Sequence, residues 1–282
     1  MRTVLDIITA TTGFFEKHGV ESPRLNVEHL LAHALGKKRR LDLYMEFDRP
    51  LSEAELAPLR ELVKRRAAGE PLQHLLGSVE FFGREFKSDA RALIPRPETE
   101  LLVEILLKKI REAGFETPSI VDVGTGSGVI GVTLAKELPG SHVTAVDRSP
   151  DALDLARENA AALECANIEF AESDLLEKVS GPFQVIAANL PYIPTEDIPA
   201  LSREVQHDPC MALDGGPDGM ALIARLIQAL PGKILPGGML ALEIGDGQGA
   251  AASELLSGGN WEKVEVIPDY QGKERFVFAF YG

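Results

Sequence analysis

Apolar residues follow two different rhythms along this chain. In the first quarter they recur every three or four positions: Val4, Ile7 and Ile8, then Val27, Leu30, Leu31, Ala34 and Leu35. That spacing lines one face of an α-helix. Ser52 with Glu55 three residues on is a capping-box pattern, and it predicts a helix running to about Ala68. Gly19, Gly36 and Gly69 punctuate these segments. No strand alternation stands out, so residues 1–75 read as a small helical bundle. Further on, Phe81-Phe82-Gly83 and Glu85-Phe86-Lys87 alternate around a glycine, which predicts a short hairpin. The segment Ile94-Pro95-Arg96-Pro97-Glu98-Thr99-Glu100 then opens a helix, with Pro97 in its first turn and carboxylates at its positive end.

From about residue 118 the rhythm changes. Short continuous apolar runs at Ile120–Val123, Val143–Asp147, Ile168–Ala171, Val185–Ala188 and Met239–Ile244 alternate with helical stretches such as Pro150–Leu163. Such runs suit strands buried on both faces of a parallel sheet, and the alternation predicts a doubly wound α/β domain. Glu262–Ile267 and Arg275–Phe280 suit an antiparallel hairpin at the sheet edge. The predicted organisation is a helical domain over residues 1–75, a hairpin linker over 76–95 and an α/β domain over 96–282.

Composition narrows the function. The 282 residues carry a net charge of -14, from 43 acidic and 29 basic side chains. A chain whose main partner is nucleic acid usually carries a basic footprint; this one repels phosphate backbones and anionic membranes. The basic runs Lys37–Arg40 and Lys64–Arg66 read as solvated helix ends or loops. Cys165 and Cys210 are too few for a disulfide framework and lack zinc spacing. The N-terminal residues form no signal sequence, and no apolar run is long enough for a membrane span. A cytoplasmic protein is expected. His29 and His33 could share a helix face, but with no third ligand in view they do not define a metal site.

The first chemical signal is Val121-Asp122-Val123-Gly124-Thr125-Gly126-Ser127-Gly128, at a strand-to-helix junction. Glycines let a ligand approach the backbone, and the following helix offers free N–H groups. Asp147 ends the next strand, where a carboxylate can accept from ribose hydroxyls. A nucleoside-containing cofactor follows. Gly126-x-Gly128-x-x-Gly131 also fits the dinucleotide pattern, so a nicotinamide cofactor is allowed. Asp122 beside the loop favours the cationic sulfonium of S-adenosylmethionine, since a carboxylate there would repel a pyrophosphate.

The second signal is Asn189-Leu190-Pro191-Tyr192, after the fourth strand. An amide or aryl-amine nitrogen is a poor nucleophile because its lone pair is delocalised. Two hydrogen-bond acceptors on its N–H groups return electron density to it. The Asn189 side-chain oxygen and the Leu190 carbonyl are suited to that task. Pro191 keeps Leu190 out of helical geometry, and the flat ring of Tyr192 can stack on a planar group. Asn189, Pro191 and Tyr192 are therefore the candidate catalytic residues.

With these motifs in place, the chain resembles the PrmC/HemK family of protein-(glutamine-N5) methyltransferases over nearly its whole length. The resemblance is carried by Gly69-Glu70-Pro71-Leu72-Gln73-His74-Leu75-Leu76-Gly77, Phe81-Phe82-Gly83 and Leu93–Glu100. It continues through the glycine loop, Asn189–Ile193, Leu213-Asp214-Gly215-Gly216-Pro217-Asp218-Gly219, and Leu242-Glu243-Ile244-Gly245 with Gln248. It implies a Rossmann-like class I methyltransferase domain, with a mostly parallel seven-stranded sheet, joined by the hairpin to an N-terminal helical bundle that docks the substrate.

The resemblance also implies roles. Gly124, Thr125, Gly126, Ser127, Gly128, Asp147, Asp174, Leu175 and Asn189 would hold S-adenosylmethionine, and S-adenosylhomocysteine would leave. Leu175 would lie beside the adenine, where the family often has an aromatic. Asn189, Leu190, Pro191, Tyr192, Arg96, Glu98 and Thr99 would hold the glutamine of a release factor's Gly-Gly-Gln motif. No metal, membrane or direct nucleic-acid partner is expected, and the chain is expected to be a monomer. Two departures stand out. Leu190 replaces the family's usual proline, a variant shared with adenine-N6 rRNA methyltransferases, and His207-Asp208-Pro209 replaces the usual Glu-Pro, with little effect expected. The alternatives are a ribosomal-protein glutamine methyltransferase and an adenine-N6 nucleic-acid methyltransferase; a nicotinamide enzyme would have no use for Asn189–Tyr192.

Overall fold

The structure is a computed structural model that describes residues 2–282. Its contacts divide the chain into two compact units. The smaller comprises residues 1–78 with Ser202–His207, and the larger Val79–Leu201 with Asp208–Gly282.

The smaller unit begins with β1 (Arg2–Thr3), α1 (Val4–Lys17), α2 (Pro23–Ala34) and a 3-10 turn at Arg40–Glu46. It continues with β2 (Pro50–Leu51), α3 (Glu53–Ala67) and α4 (Leu72–Leu76). The expected capping box is formed: the Ser52 hydroxyl accepts from the Glu55 N–H, and the Glu55 carboxylate accepts from the Ser52 N–H at 2.9 Å. Thr3 and Asp6 form a second one at the start of α1. The apolar spacing places Val4, Ile8, Phe15, Val27, Leu30 and Leu31 in one fully buried core. Truncating Ile8, Leu30 or Leu31 to alanine would cost roughly 2–5 kcal/mol.

Two features depart from the sequence expectation. β1 and β2 pair antiparallel, a two-residue ladder too short to produce alternation. Arg66 is not solvated but 3% exposed, donating to Asn26 Oδ1 at 2.7 Å and paired with Glu204. The other run is also internally paired, Lys37 with Glu46 and Arg40 with the buried Glu28.

In the larger unit, β3 (Ser78–Phe81, its first residue still in the smaller unit) and β4 (Arg84–Lys87) form the expected hairpin. Phe82 and Gly83 both have positive φ, as its two-residue turn requires. Then come α5 (Pro97–Glu112), β5 (Ser119–Val123), α6 (Val129–Glu137), β6 (His142–Asp147), α7 (Pro150–Ala162), β7 (Ile168–Glu172) and β8 (Phe183–Asn189). After several 3-10 turns, α8 (Ala221–Ala229), β9 (Ile234–Glu243), α9 (Gly249–Leu256), β10 (Trp261–Pro268) and β11 (Glu274–Tyr281) complete the chain.

These strands form a seven-stranded sheet in the order β10-β11-β9-β8-β5-β6-β7. β5 to β9 run parallel, and β11 pairs antiparallel with both β9 and β10. Both faces are covered. Ile120 and Val185 face α5 and α6, while Val121 and Ile186 face α8 and α9. This explains the continuous apolar runs. β9 starts earlier than the run Met239–Ile244 suggested, because an irregularity around Pro236-Gly237-Gly238 pairs Ile234 with Phe183 and Met239 with Val185. The strand order reverses direction at β5, and in such sheets ligands bind at the carboxyl edge beside that point. No helix among the described residues is long and apolar enough to cross a membrane.

Candidate active site

A cavity of about 900 Å³ opens at this edge, lined entirely by residues of the larger unit. One wall is backbone. Beyond β5 the chain turns through Gly124, Gly126 and Gly128, with φ of +73°, +55° and +87°. Side chains are disfavoured in that left-handed region. A Cβ on Gly124 would also stand 2.9 Å from Leu190 Cδ2. Gly124, Thr125, Gly126 and Ser127 line the cavity. Gly128 stands behind them, where a Cβ would meet Ala156 at 3.1 Å, so its absence of a side chain serves helix packing.

Asp122 is placed differently from the sequence expectation. Its carboxylate is fully buried and turned away from the cavity, accepting from Thr125 Oγ1 at 2.6 Å and Gly131 N at 2.8 Å. It braces the loop from beneath and does not line the cavity. Burial pushes its pKa up to about 6. Gly131, the last glycine of the dinucleotide pattern, is likewise structural: a Cβ there would lie 3.0 Å from Asp122 Oδ2.

Asp147, at the end of β6, does line the cavity. It accepts from Gly126 N and Ser149 N, both at 2.9 Å. Burial raises its pKa, and the N–H donors oppose that rise. Asp174 and Leu175 follow β7 on the same wall. Asp174 pairs with Arg225 at 3.0 Å. Leu175 holds φ +49°, a conformation leucine rarely adopts, and such strain concentrates at binding sites.

The opposite wall is built from side chains. Asn189 ends β8 and lines the cavity with Leu190 and Pro191. Its Nδ2 donates to Thr99 Oγ1 at 3.1 Å, and Thr99 Oγ1 donates to Glu243 Oε2 at 2.8 Å. The Tyr192 hydroxyl faces Glu243 Oε1 at 3.5 Å. Glu243 is 1% exposed, and burial pushes its pKa up to about 7. Burial, with Glu243 adding to it, also raises the Tyr192 phenol, to about 12.

The loop after Asn189 is held through its backbone carbonyls. Gln248 Nε2 donates to Tyr192 O at 3.0 Å, and Gly215 N to Ile193 O at 2.9 Å. A Cβ on Gly219 would fall 2.2 Å from Tyr192 O, and one on Gly215 2.7 Å from Pro191 O. Arg96, at the cavity rim, pairs with Asp208 at 2.7 Å, and Asp208 Oδ1 also accepts from Ile94 N at 3.2 Å. The Asp208 side chain is fully buried and Arg96 is partly exposed, so this departure from the family pattern carries a half-buried ion pair.

Of the residues singled out from sequence, twelve therefore share the cavity lining: Arg96, Thr99, Gly124–Ser127, Asp147, Asp174, Leu175 and Asn189–Pro191. Gly128, Glu98 and Tyr192 lie outside it. Glu243 had no role assigned from sequence. The available signal was a carboxylate inside the apolar run Met239–Ile244, since a buried charge needs a partner.

Residues 6–77 match the PrmC N-terminal domain family, and residues 97–205 the methyltransferase small domain family. The chain is 42% identical to the release factor glutamine methyltransferase of Deinococcus radiodurans, over 97% of each chain. The chain belongs to the release factor glutamine methyltransferase family. The namesake from Chlorobaculum tepidum is 40% identical over 97% of this chain and 95% of its own. Among solved structures, the hMettl16 catalytic domain in complex with MAT2A 3'UTR hairpin 6 matches with TM-score 0.58 and 15% identity, covering 79% of this chain and 82% of that one. A methyltransferase from Pyrococcus furiosus matches with TM-score 0.53 and 20% identity, covering 71% and 89%. At such identities the likeness is one of fold: this release factor glutamine methyltransferase family member has the class I methyltransferase architecture. Leu190, the departure shared with enzymes of nucleic acid, thus sits within a full-length likeness to glutamine methyltransferases.

Proposed function

We propose that the chain transfers a methyl group from S-adenosylmethionine to the side-chain N5 of the glutamine in the Gly-Gly-Gln motif of peptide-chain release factors. The observation that carries the reading is Asn189, a carboxamide at the carboxyl end of β8, sharing one cavity with the bare backbone of Gly124–Ser127.

The cavity suits the cofactor. Left-handed glycines leave backbone accessible on one wall, Asp147 offers carboxylate oxygens for ribose hydroxyls, and Leu175 offers an apolar surface for a base. Gly124, Thr125, Gly126, Ser127, Asp147, Asp174 and Leu175 are the residues assigned to hold it, with Gly128 behind them fixing α6. When bound, S-adenosylmethionine supplies an electrophilic methyl group on a cationic sulfonium, and S-adenosylhomocysteine is its neutral product.

The chain's own residues prepare the nucleophile. Asn189 Oδ1 and the Leu190 carbonyl accept from the two N–H groups of the glutamine amide and return electron density to its nitrogen. Pro191 holds the Leu190 carbonyl in place, and the loop Gly215–Gly219 with Gln248 holds Pro191 and Tyr192. Arg96 and Thr99 shape the rim and floor. Glu98 and Tyr192 act from outside the lining, beside Glu243. Holding the nitrogen in line with the methyl group can contribute roughly 7–11 kcal/mol to lowering the barrier. The substrate-docking role belongs to the helical unit, whose 3-10 turn exposes Leu41, Tyr44 and Met45. The same reading includes a cytoplasmic monomer.

Incubation with radiolabelled S-adenosylmethionine and release factor, ribosomal protein or rRNA tests the reading. Label on the release-factor glutamine is expected; label on RNA or ribosomal protein alone would overturn it.

A further inference from the structure

A carboxamide has two arms of nearly equal shape, one an acceptor and the other a donor. The methyl-transfer reading above requires the Asn189 oxygen, not its NH₂, to face the substrate nitrogen. The surroundings of Asn189 decide which arm that is. One arm lies 3.1 Å from Thr99 Oγ1, and that oxygen lies 2.8 Å from Glu243 Oε2. A threonine hydroxyl owns one proton. Ionised Glu243 can only accept, so it takes that proton. The Thr99 oxygen is then left as an acceptor toward Asn189, and the arm facing it must be NH₂. The Asn189 oxygen points the other way, and Asn189 lines the cavity.

We propose that Thr99 and Glu243 are positioning residues that fix the direction of the Asn189 amide, so that its oxygen is presented to the substrate nitrogen. The assignment rests on the methyl-transfer reading and adds to it an effect that Thr99 and Glu243 exert through Asn189. Neither has to touch the substrate.

The geometry makes Glu243 unusual in this setting. It lies level with Asn189 in the sheet, on the neighbouring strand β9, and Phe276 of β11 is its partner on the other side. Its charged and titratable neighbours are Glu98 at the start of α5, Arg275 on β11 and Tyr192 in the loop after β8. Burial and Glu98 favour the neutral acid, while Thr99, Arg275 and Tyr192 favour the carboxylate, with the balance near pH 7. A protonated Glu243 can donate to Thr99. The Thr99 proton is then free to turn toward Asn189, and the polarity of the amide is no longer forced. Transfer by the wild type should therefore rise with pH through about 7.

The test is steady-state kinetics of the full-length protein with S-adenosylmethionine and release factor, alongside cofactor binding by calorimetry. Thr99→Val keeps the side-chain volume and removes the hydroxyl. It is expected to lower kcat about 10- to 100-fold, the scale of a lost hydrogen bond to a charged network, with cofactor affinity near wild type and a thermal midpoint below it, because buried Glu243 loses a partner. Thr99→Ser restores the hydroxyl and should restore kcat. Glu243→Gln cannot ionise, so its kcat should lose the rise between about pH 6 and pH 8. Wild-type kcat in Thr99→Val, or an unchanged pH limb in Glu243→Gln, would overturn the assignment. Should Thr99→Val fail to fold, the pH profile of Glu243→Gln decides. Failure of the methyl-transfer reading is separately visible, because the wild type itself would then put no label into release factor.

Discussion

The two walls of the cavity are built by opposite means. The wall after β5 is bare backbone, and its one strong side chain, Asp122, is turned inward as a brace. The wall after β8 depends on side chains linked in series, Asn189 to Thr99 to Glu243. A backbone wall is set by conformation and is sensitive to added atoms. A side-chain wall is set by the direction of protons and is sensitive to chemistry at constant volume.

This contrast can be broken from either side. The largest effect is expected for Asn189→Ala, which removes the acceptor proposed to face the reacting nitrogen. Transfer should fall at least ~100-fold, as for other preorganised polar groups in active sites, while calorimetric cofactor affinity stays within a few-fold. Near-normal turnover by that variant would remove the acceptor role. Next comes Gly219→Ala, which alters the support of the same wall. Its Cβ would collide with backbone at Tyr192 and its φ is +75°, so the loop must move. A kcat loss of ~10-fold or more is expected, since small misplacements at a reacting centre are costly. Gly124→Ala tests the backbone wall. The left-handed φ costs roughly 1–2 kcal/mol with a side chain present, and cofactor affinity should weaken more than kcat.

An effect of opposite sign, on stability, is expected from Glu243→Gln. The folded-state pKa of Glu243, about 7, is above its ordinary value of 4.5. The folded state therefore binds more protons than the unfolded state between those values, and wild-type stability falls as pH rises through that window. Glutamine escapes the loss. The variant should unfold at a higher temperature than wild type at pH 8, by an amount worth ~2–3 kcal/mol, and the advantage should vanish toward pH 4. An advantage that does not change with pH would mean that Glu243 is not carrying the linkage.

The backbone wall was legible in the sequence because it is local. Gly124 to Gly128 are consecutive, and Pro95–Glu100 and Asn189–Tyr192 are equally compact. The alternating runs also marked the sheet, since both its faces are buried. The side-chain wall was only half legible. Thr99 and Glu243 are separated by 144 residues and meet through the packing of α5 on β9, while the register of β8 on β9 sets Glu243 level with Asn189. No spacing encodes that meeting. The direction of Asp122 was hidden for a related reason: at a strand end, which face a side chain takes depends on the sheet's register and its covering helices. The pairing of Asp208 with Arg96 was hidden in the same way, because Arg96 is 112 residues earlier.

The make-up of the smaller unit has a consequence for the order of events during synthesis. Ser202–His207 belongs with residues 1–78, and buried Arg66 finds its carboxylate partner, Glu204, 138 residues later. At ~5–20 residues per second, that partner is added roughly 7–28 s after Arg66. Until then the helical unit is a nascent domain with a guanidinium lacking its counter-ion, and its final closure waits until most of the catalytic sheet has been translated.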